Sequence, residues 1–285
     1  MIIQRIPFLR LCRGVAAFAA IAALTRADAA EPAPSPQATA AESDYDRVTV
    51  RAGGFLLSNV TVTMSLDTLN GEEGDDVSYV EDLGGDDSLT IFRSDAEWRF
   101  ARNHRVGLAW FDISQSTRHV LDTEINWGGE VFPIDAEVNT DLGVTVSKIN
   151  YGYGVYSRGR HEVFLLAGVH VTRLEAGISA PDLARSERIG VTAPLPVFGA
   201  EWKYAILERL RLQVSYEYFG ISLDDRYKGS LSDFLVFLDY GLAEHVSVGA
   251  GFNRYVLRAS VEGDRLKLSL KHSYDGLMGY VTVHF

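Results

Sequence analysis

The stretch from Leu277 to Phe285 alternates without a break. Phe285, Val283, Val281, Gly279 and Leu277 fall on one side, and His284, Thr282, Tyr280 and Met278 on the other. One apolar face and one mixed polar and aromatic face, at a period of two, describe a strand between two environments. Beyond the N-terminal segment, no apolar run approaches the roughly 20 residues of a membrane helix. The longest compact one runs only from Val163 to Val169. If such a chain enters lipid it must do so as a closed barrel, because lipid cannot satisfy open backbone groups.

The N-terminal segment has a different character. Arg5, Arg10 and Arg13 precede an Ala-rich apolar stretch, Gly14 to Leu24, and Ala27-Asp28-Ala29 forms an A-x-A cleavage site. That combination predicts a secretory signal peptide over 1–29. A disordered leader over 30–46, carrying Pro32, Pro34 and Pro36, is expected to follow on the periplasmic side, with a barrel over 47–285. The single cysteine, Cys12, lies in the signal and lacks the small preceding residue of a lipoprotein motif. A disulfide scaffold is thereby excluded from the exported part. The chain carries 27 basic and 38 acidic residues, a formal charge of −11. Loss of Arg5, Arg10, Arg13, Arg26 and Asp28 with the signal leaves the rest more acidic still. Nucleic acid, which requires the opposite sign, is excluded as a partner.

From Arg47 onward four joints repeat one pattern of aromatic-bearing strand, short polar turn and strand. They fall at Arg102-Asn103-His104, Arg158-Gly159-Arg160, Glu208-Arg209 and Glu244-His245. Short turns flanked by aromatics describe the periplasmic side of a barrel. Longer polar connections, about 70–87, 126–135 and 179–188, are assigned to the outside, with tight outer turns at 224–228 and 262–265. The pattern predicts an all-β, antiparallel up-and-down transmembrane barrel of about ten strands. The strands are 47–68, 88–101, 105–125, 139–157, 161–177, 190–206, 209–224, 229–241, 246–261 and 264–285. Eight or twelve would also fit, since 47–68 is long and holds Gly53-Gly54. Many exceed the 9–11 or so residues that cross lipid, so their outer ends should project beyond it. Alternation breaks after Trp110-Phe111-Asp112 and again around His272 to Gly276, which predicts β-bulges in the third and last strands.

Terminating an alternating strand on Phe285 resembles the closing strand of Gram-negative outer-membrane β-barrels. That resemblance implies recognition by the barrel-assembly machinery. Glu81 to Gly84, Phe92 to Asp95, Trp98 to Phe100 and His104-Arg105 are similar to segments of a group of small proteobacterial outer-membrane barrels. The outer-membrane protein A and W types are the nearest named analogues, without a residue-level match. What this resemblance implies is a fold and an outer-membrane location; the partners expected there are outer-membrane lipid and lipopolysaccharide, and the expected state is a monomer. The resemblance implies no activity.

In such a barrel apolar side chains face lipid and charges face the lumen. The inward set then includes Arg93, Asp95, Glu97, Arg99, Lys148, Asn150, Glu201, Lys203, Arg211, Glu217, Asp233 and Asp239. Both signs are interleaved, and a ten-stranded barrel is close to the size that side chains fill, so a plug of ion pairs is favoured over a channel. Outside the lumen, the conspicuous feature is the acidic first outer loop: Glu72, Glu73, Asp75, Asp76, Glu81, Asp82, Asp86 and Asp87. It reads as a solvated loop. The alternative is a weak divalent-cation site for Ca²⁺ or Mg²⁺, without the spacing of an EF-hand. No other cofactor is called for. His272-Ser273 with Asp275 invites a second reading, a lipid-modifying hydrolase acting at the rim. Adjacent strand residues point to opposite faces, so that pair could meet only across a bulge. Asp224-Asp225 is faintly similar to the paired acids of outer-membrane proteases, but a turn-forming role fits it better. His170 reads as a hydrogen-bonded interior residue. The favoured function is a non-enzymatic outer-membrane barrel, structural or narrowly conducting, with acidic outer loops.

Overall fold

The computed structural model describes residues 46–68, 74–127, 130–223, 227–262 and 266–285. The proposed signal, nearly all of the leader, Glu72, Glu73 and Asp224-Asp225 lie outside them. Strands dominate: β1 (Val48–Thr68), β2 (Val77–Ser78), β3 (Leu89–Ala101), β4 (His104–Val120), β5 (Ile125–Trp127), β6 (Glu130–Phe132), β7 (Glu137–Arg158), β8 (His161–Ala180), β9 (Arg185–Leu207), β10 (Leu210–Leu223), β11 (Tyr227–Ala243), β12 (Val246–Glu262) and β13 (Leu266–His284). Each long strand pairs antiparallel with its neighbours, and β13 pairs with β1. With the short β2 set aside, the sheet closes as a ring of ten. The closing seam runs from Thr49↔His284 to Thr68↔Leu266, so no long strand is left with an open edge.

Three expectations are corrected. First, β4 pairs with β7 from His104↔Tyr153 to Val120↔Glu137 without a register shift, and β12 pairs equally evenly with β13. Neither strand carries the expected bulge. Register shifts lie instead beside the short turns and, in mid-strand, in β1 between Ser58 and Thr61, where Asn59 adopts φ 52° and both Ser58 and Asn59 face out. Second, 179–188 is not a long loop. β8 runs to Ala180, Pro181–Leu183 forms one 3₁₀ turn, and β9 starts at Arg185. Third, the connection after β4 is not plain loop but folds into the β5–β6 hairpin.

What looked like lost parity is a change of surroundings along a strand of constant parity. β13 sends Phe285, Val283, Val281, Gly279 and Leu277 outward, then Asp275, Ser273, Lys271, Ser269 and Lys267. Its inward file runs from His284, Thr282 and Tyr280 to His272, Leu270 and Leu268. β7 does the same: Tyr153, Tyr151 and Ile149 face out beside inward Asn150 and Lys148. Further along, Asp141, Asn139 and Glu137 face out beside inward Val146, Val144, Leu142 and Val138. The half nearer the two-residue turns is apolar outside and polar inside, which suits lipid. The other half is polar outside and apolar inside, as in a barrel standing in water.

Exposed aromatics mark the lipid-facing half. Trp98, Phe100, Tyr151, Tyr153, Trp202, Tyr240 and Phe285 lie near the short turns, and His161 stacks on Tyr204 and Trp202, which also stack on each other. Phe92, Trp110, Phe198, Tyr216, Tyr218 and Leu277 lie at the upper boundary. The projecting half is filled by Leu57, Val62, Met64, Ile113, Leu142, Val144, Leu174, Leu257 and their neighbours, and closed on top by Tyr79, Leu83, Leu121, Ile125, Trp127 and Phe132. Two glycines make room for inward aromatics. A Cβ on Gly249 would lie 2.4 Å from the Tyr280 ring, and one on Gly276 would lie 2.2 Å from the Phe55 ring.

If this half is a packed core rather than a wet vestibule, Leu257→Ala should destabilise the folded barrel by about 2–5 kcal/mol. Urea unfolding of the vesicle-inserted protein measures it. A loss below about 1 kcal/mol would mean water already fills the space.

Candidate functional site

Alternation places one inward side chain at every second residue, so a lumen site is built from files contributed by many strands. In the lipid-facing half these files are charged, and the charges meet across the ring. Nearest the short turns, Arg99 Nη2 lies 2.8 Å from Glu162 Oε1 and also donates to the Arg102 carbonyl at 2.6 Å. At the same end Asp46 takes Arg211 Nη1 at 2.8 Å and His284 Nδ1 at 3.2 Å. The His284 and Arg211 contacts hold the Asp46 carboxyl down at about 2, against the opposing effect of burial.

One level further in, Glu97 takes Lys203 Nζ at 2.6 Å and pairs with Arg105. Arg105 Nη2 reaches Glu201 Oε1 at 2.6 Å, and Gln213 donates to the other Glu201 oxygen at 2.8 Å. Arg51 donates to Gln213 at 3.1 Å and Asp239 at 3.3 Å, and Thr282 donates to Asp239 at 2.7 Å. The Phe164 ring lies under Arg105, 4.6 Å from ring centre to guanidinium carbon, and Phe237 lies 4.7 Å from Arg51. These rings pack on the flat faces of the cations and leave the N–H edges for carboxylates.

The third level centres on Lys148, which pairs with Glu217 and sits 3.2 Å from Asp233 Oδ2. Glu217 also accepts from Asn150 at 3.1 Å and contacts His170 Nε2 at 3.2 Å. Asn253 donates to Asp233 at 2.6 Å and accepts from Arg93 at 2.8 Å, while Arg93 grips Asp95 through two nitrogens at 2.9 and 3.0 Å. Arg93 is the junction with the apolar half. Its guanidinium lies 5.4 Å from both Phe55 and Phe111, which with Tyr274 form a mutually edge-on trio at 5.8 Å.

These contacts join strands far apart around the ring: β3 to β9, β7 to β11, and β1 to β10 are each four places apart. Side chains from opposite walls therefore meet in the middle. Cations and carboxylates stand nearly one to one, which keeps buried charge paired. The cavity beside Arg51, Arg93 and Tyr280 amounts to about 10 Å³, no more than a single water needs.

The sequence-derived lumen residues thus fall largely together. Arg93, Asp95, Glu97, Arg99, Lys148, Glu201, Lys203, Glu217, Asp233 and Asp239 all belong to the network. Arg211 instead sits at the mouth, more than half exposed, with Asp46. Arg51, Arg105, Glu162 and Asn253 were missed. Arg51 and Arg105 follow the same inward parity as their neighbours, so continuing the alternation through Thr49–Gly53 and His104–Gly107 would have found them.

Among the described residues, the acids of the first outer loop are not gathered. Asp75 accepts from the Asn126 amide at 2.7 Å, Asp82 from the Ser78 amide at 2.7 Å, and Asp87 from Ser88 at 3.0 Å. These are turn-shaping bonds on separate segments. Among the described residues, the acids and histidine close enough to share one ion are His170, Glu217 and Asp233. Lys148 already brings a positive charge to that trio. His272 is fully buried between Tyr255 and Tyr274 and contacts the Thr61 carbonyl through Nδ1 at 3.2 Å, while Ser273 faces outward.

No family model matches the chain, and no curated protein does. Among solved structures, it is similar to the outer-membrane protease OmpT of Escherichia coli, at 12% identity over 83% of this chain and 97% of that one, with a TM-score of 0.48. It is also similar to the outer-membrane protein OprG of Pseudomonas aeruginosa, at 12% identity over 84% and 95%, with a TM-score of 0.40. The fold is that of an outer-membrane β-barrel. Its own closed ring and lipid-suited belt carry that statement.

Removing one member of the third level isolates its cost. Lys148→Met strands Glu217 and Asp233 in a dry lumen and should lower stability by about 3–5 kcal/mol. Adding Glu217→Gln to it should recover part of that loss in a double-mutant cycle read by urea titration. A cost under about 1 kcal/mol would place Lys148 in solvent.

Proposed function

We propose that this chain is a sealed, non-enzymatic outer-membrane barrel whose role is to stand a water-facing β-structure above the outer leaflet. The observation that carries this reading is the succession of two stoppers in one lumen. Ion pairs spanning four strands block the lipid-facing half, and a packed aliphatic and aromatic core fills the projecting half. An ion crossing such a barrel would have to break buried charge pairs and then enter an apolar core, and both steps are costly.

What remains accessible is the outside of the projecting half and its cap. The outward files there carry Arg118, Glu137, Asp141, Arg173, Glu175 and Arg188, a mixed-charge surface typical of soluble proteins. The described acids of the first outer loop, Asp75, Asp76, Glu81, Asp82, Asp86 and Asp87, belong to this solvated surface, with contacts to outer-leaflet lipid below it. The hydrolase reading gains no support from His272. Its ring lies in a dry aromatic layer, and neither Ser273 nor a lipid headgroup can reach it without unpacking that layer.

Planar-bilayer recording after verified insertion tests the reading. It predicts silence, and discrete reproducible steps would overturn it. In the same membranes His272→Ala should leave lipid A and phospholipid patterns unchanged. Loss of a lipid modification seen with the unmutated chain would instead revive the enzymatic alternative.

A further inference from the structure

On the projecting half, outward cations generally sit beside an acid. Arg173 is 2.5 Å from Glu175, Arg188 is 3.3 Å from Asp141, and Arg118 is 3.5 Å from Glu137. On the β12–β13 face Arg254 keeps to this rule at 3.7 Å from Asp275 and Lys267 at 3.6 Å from Asp67, but the pair between them breaks it. Arg258 and Lys271 are direct cross-strand partners, both exposed, and neither forms an ion pair among the described residues. Like charges set directly opposite each other destabilise a sheet. In an acidic chain, such a pair is an expense that needs an external counter-charge to offset it.

The surroundings fit an anion bearing sugar hydroxyls. Ser230 partners Arg258 on one side and Thr63 partners Lys271 on the other, with Ser260 and Ser269 above and Val256 and Ser273 below. No acid stands in that first ring of outward neighbours. Arg254 lies two outward places below Arg258, 65% exposed, and holds Asp275 only at 3.7 Å.

Height decides the source of the anion. Phe252, Leu277 and Leu56 form the top of the apolar belt on these strands, joined through Leu277 as a common partner. Arg254 is two residues above that line and Arg258 six. At about 3.3 Å per residue and a tilt of about 40°, they stand roughly 5 and 15 Å above the lipid boundary. That is the depth at which the phosphates and inner sugars of an outer-leaflet glycolipid lie, flush against the barrel wall.

We infer that Arg254, Arg258 and Lys271 form a docking face for the phosphate groups of lipopolysaccharide. Guanidinium and ammonium groups bind the phosphates, and the serine and threonine hydroxyls meet the adjoining sugars. This rests on the membrane placement argued above, and it assigns the contact to basic residues directly. Bridging through divalent cations on the acidic loop is the competing route.

The test uses the full barrel in vesicles, with folding and insertion checked for each variant before binding is scored, so failure to span a membrane is separated from failure to bind. Lipopolysaccharide is titrated into neutral phosphatidylcholine vesicles, and the shift in thermal unfolding is read. The unmutated chain should be stabilised by lipopolysaccharide, and binding should survive EDTA and weaken with salt. Arg258→Ser with Lys271→Ser should weaken binding on the order of tenfold while leaving the lipid-free barrel at least as stable, since a repulsion has been removed. Arg173→Ser should bind like the unmutated chain. Equal binding by the double variant would overturn the inference, as would abolition by EDTA, which would implicate the bridging route. An equal shift from sodium pyrophosphate, or from dephosphorylated lipopolysaccharide, would overturn it too, because either would detach recognition from the lipid-borne phosphate.

Discussion

Unbroken pairing around the ring decides where every side chain goes. Once β13 is hydrogen bonded to β12 and β1, a one-residue slip anywhere in the lipid-facing half would turn its lipid file into its lumen file. Parity is therefore fixed, and only the chemistry at each height can vary. Where lipid lies outside, the inward file must be polar enough to bind the polar walls opposite it. Where water lies outside, the same file becomes an ordinary hydrophobic core. Asp275 and Leu277, neighbours on one outward file, mark the crossing.

The charged lumen follows from the same constraint. Arg93, Arg51 and Arg105 could not be buried singly, since an isolated charge in a dry interior costs several kcal/mol. Each is given a carboxylate: Arg51 takes Asp239 and Arg105 takes Glu201 from strands three places round the ring, while Arg93 takes Asp95 from its own strand and Asn253 from β12. The result is a set of cross-braces that fixes the ring's cross-section as well as neutralising it. Arg93 performs both tasks at the junction, facing Asp95 and Asn253 on one side and Phe55 and Phe111 on the other.

Most of this architecture was legible in the sequence. Two-residue turns with flanking aromatics located four joints, and alternation in Leu89–Ala101 and Leu210–Tyr218 separated lipid and lumen faces correctly. The two expected bulges have one cause. Trp110-Phe111-Asp112 and His272 to Gly276 read as bulges when apolar is equated with outward along the whole strand. That equation holds only at lipid depth, and the sequence does not mark where lipid ends. The mid-strand bulge in β1, at Ser58-Asn59, leaves Leu57 and Val60 both inward, which reads in sequence as ordinary variation. Cross-lumen partners such as Lys148 and Asp233 could be assigned to the interior but not to each other, since their meeting depends on the stagger of the closed ring.

The central claim is that in strands such as β13 the lipid boundary is crossed at constant parity, with environment alone changing. The only cysteine of the chain, Cys12, lies outside the barrel strands, so single cysteines can be placed without background. Spin labels at the outward positions 281, 277, 273 and 271 of the vesicle-inserted barrel report contact with lipid-soluble oxygen or a water-soluble nickel chelate. The account predicts oxygen contact at Val281 and Leu277 and chelate contact at Ser273 and Lys271, switching between 277 and 273. Oxygen contact continuing through Lys271 would contradict it, since lipid would then cover the half assigned to water.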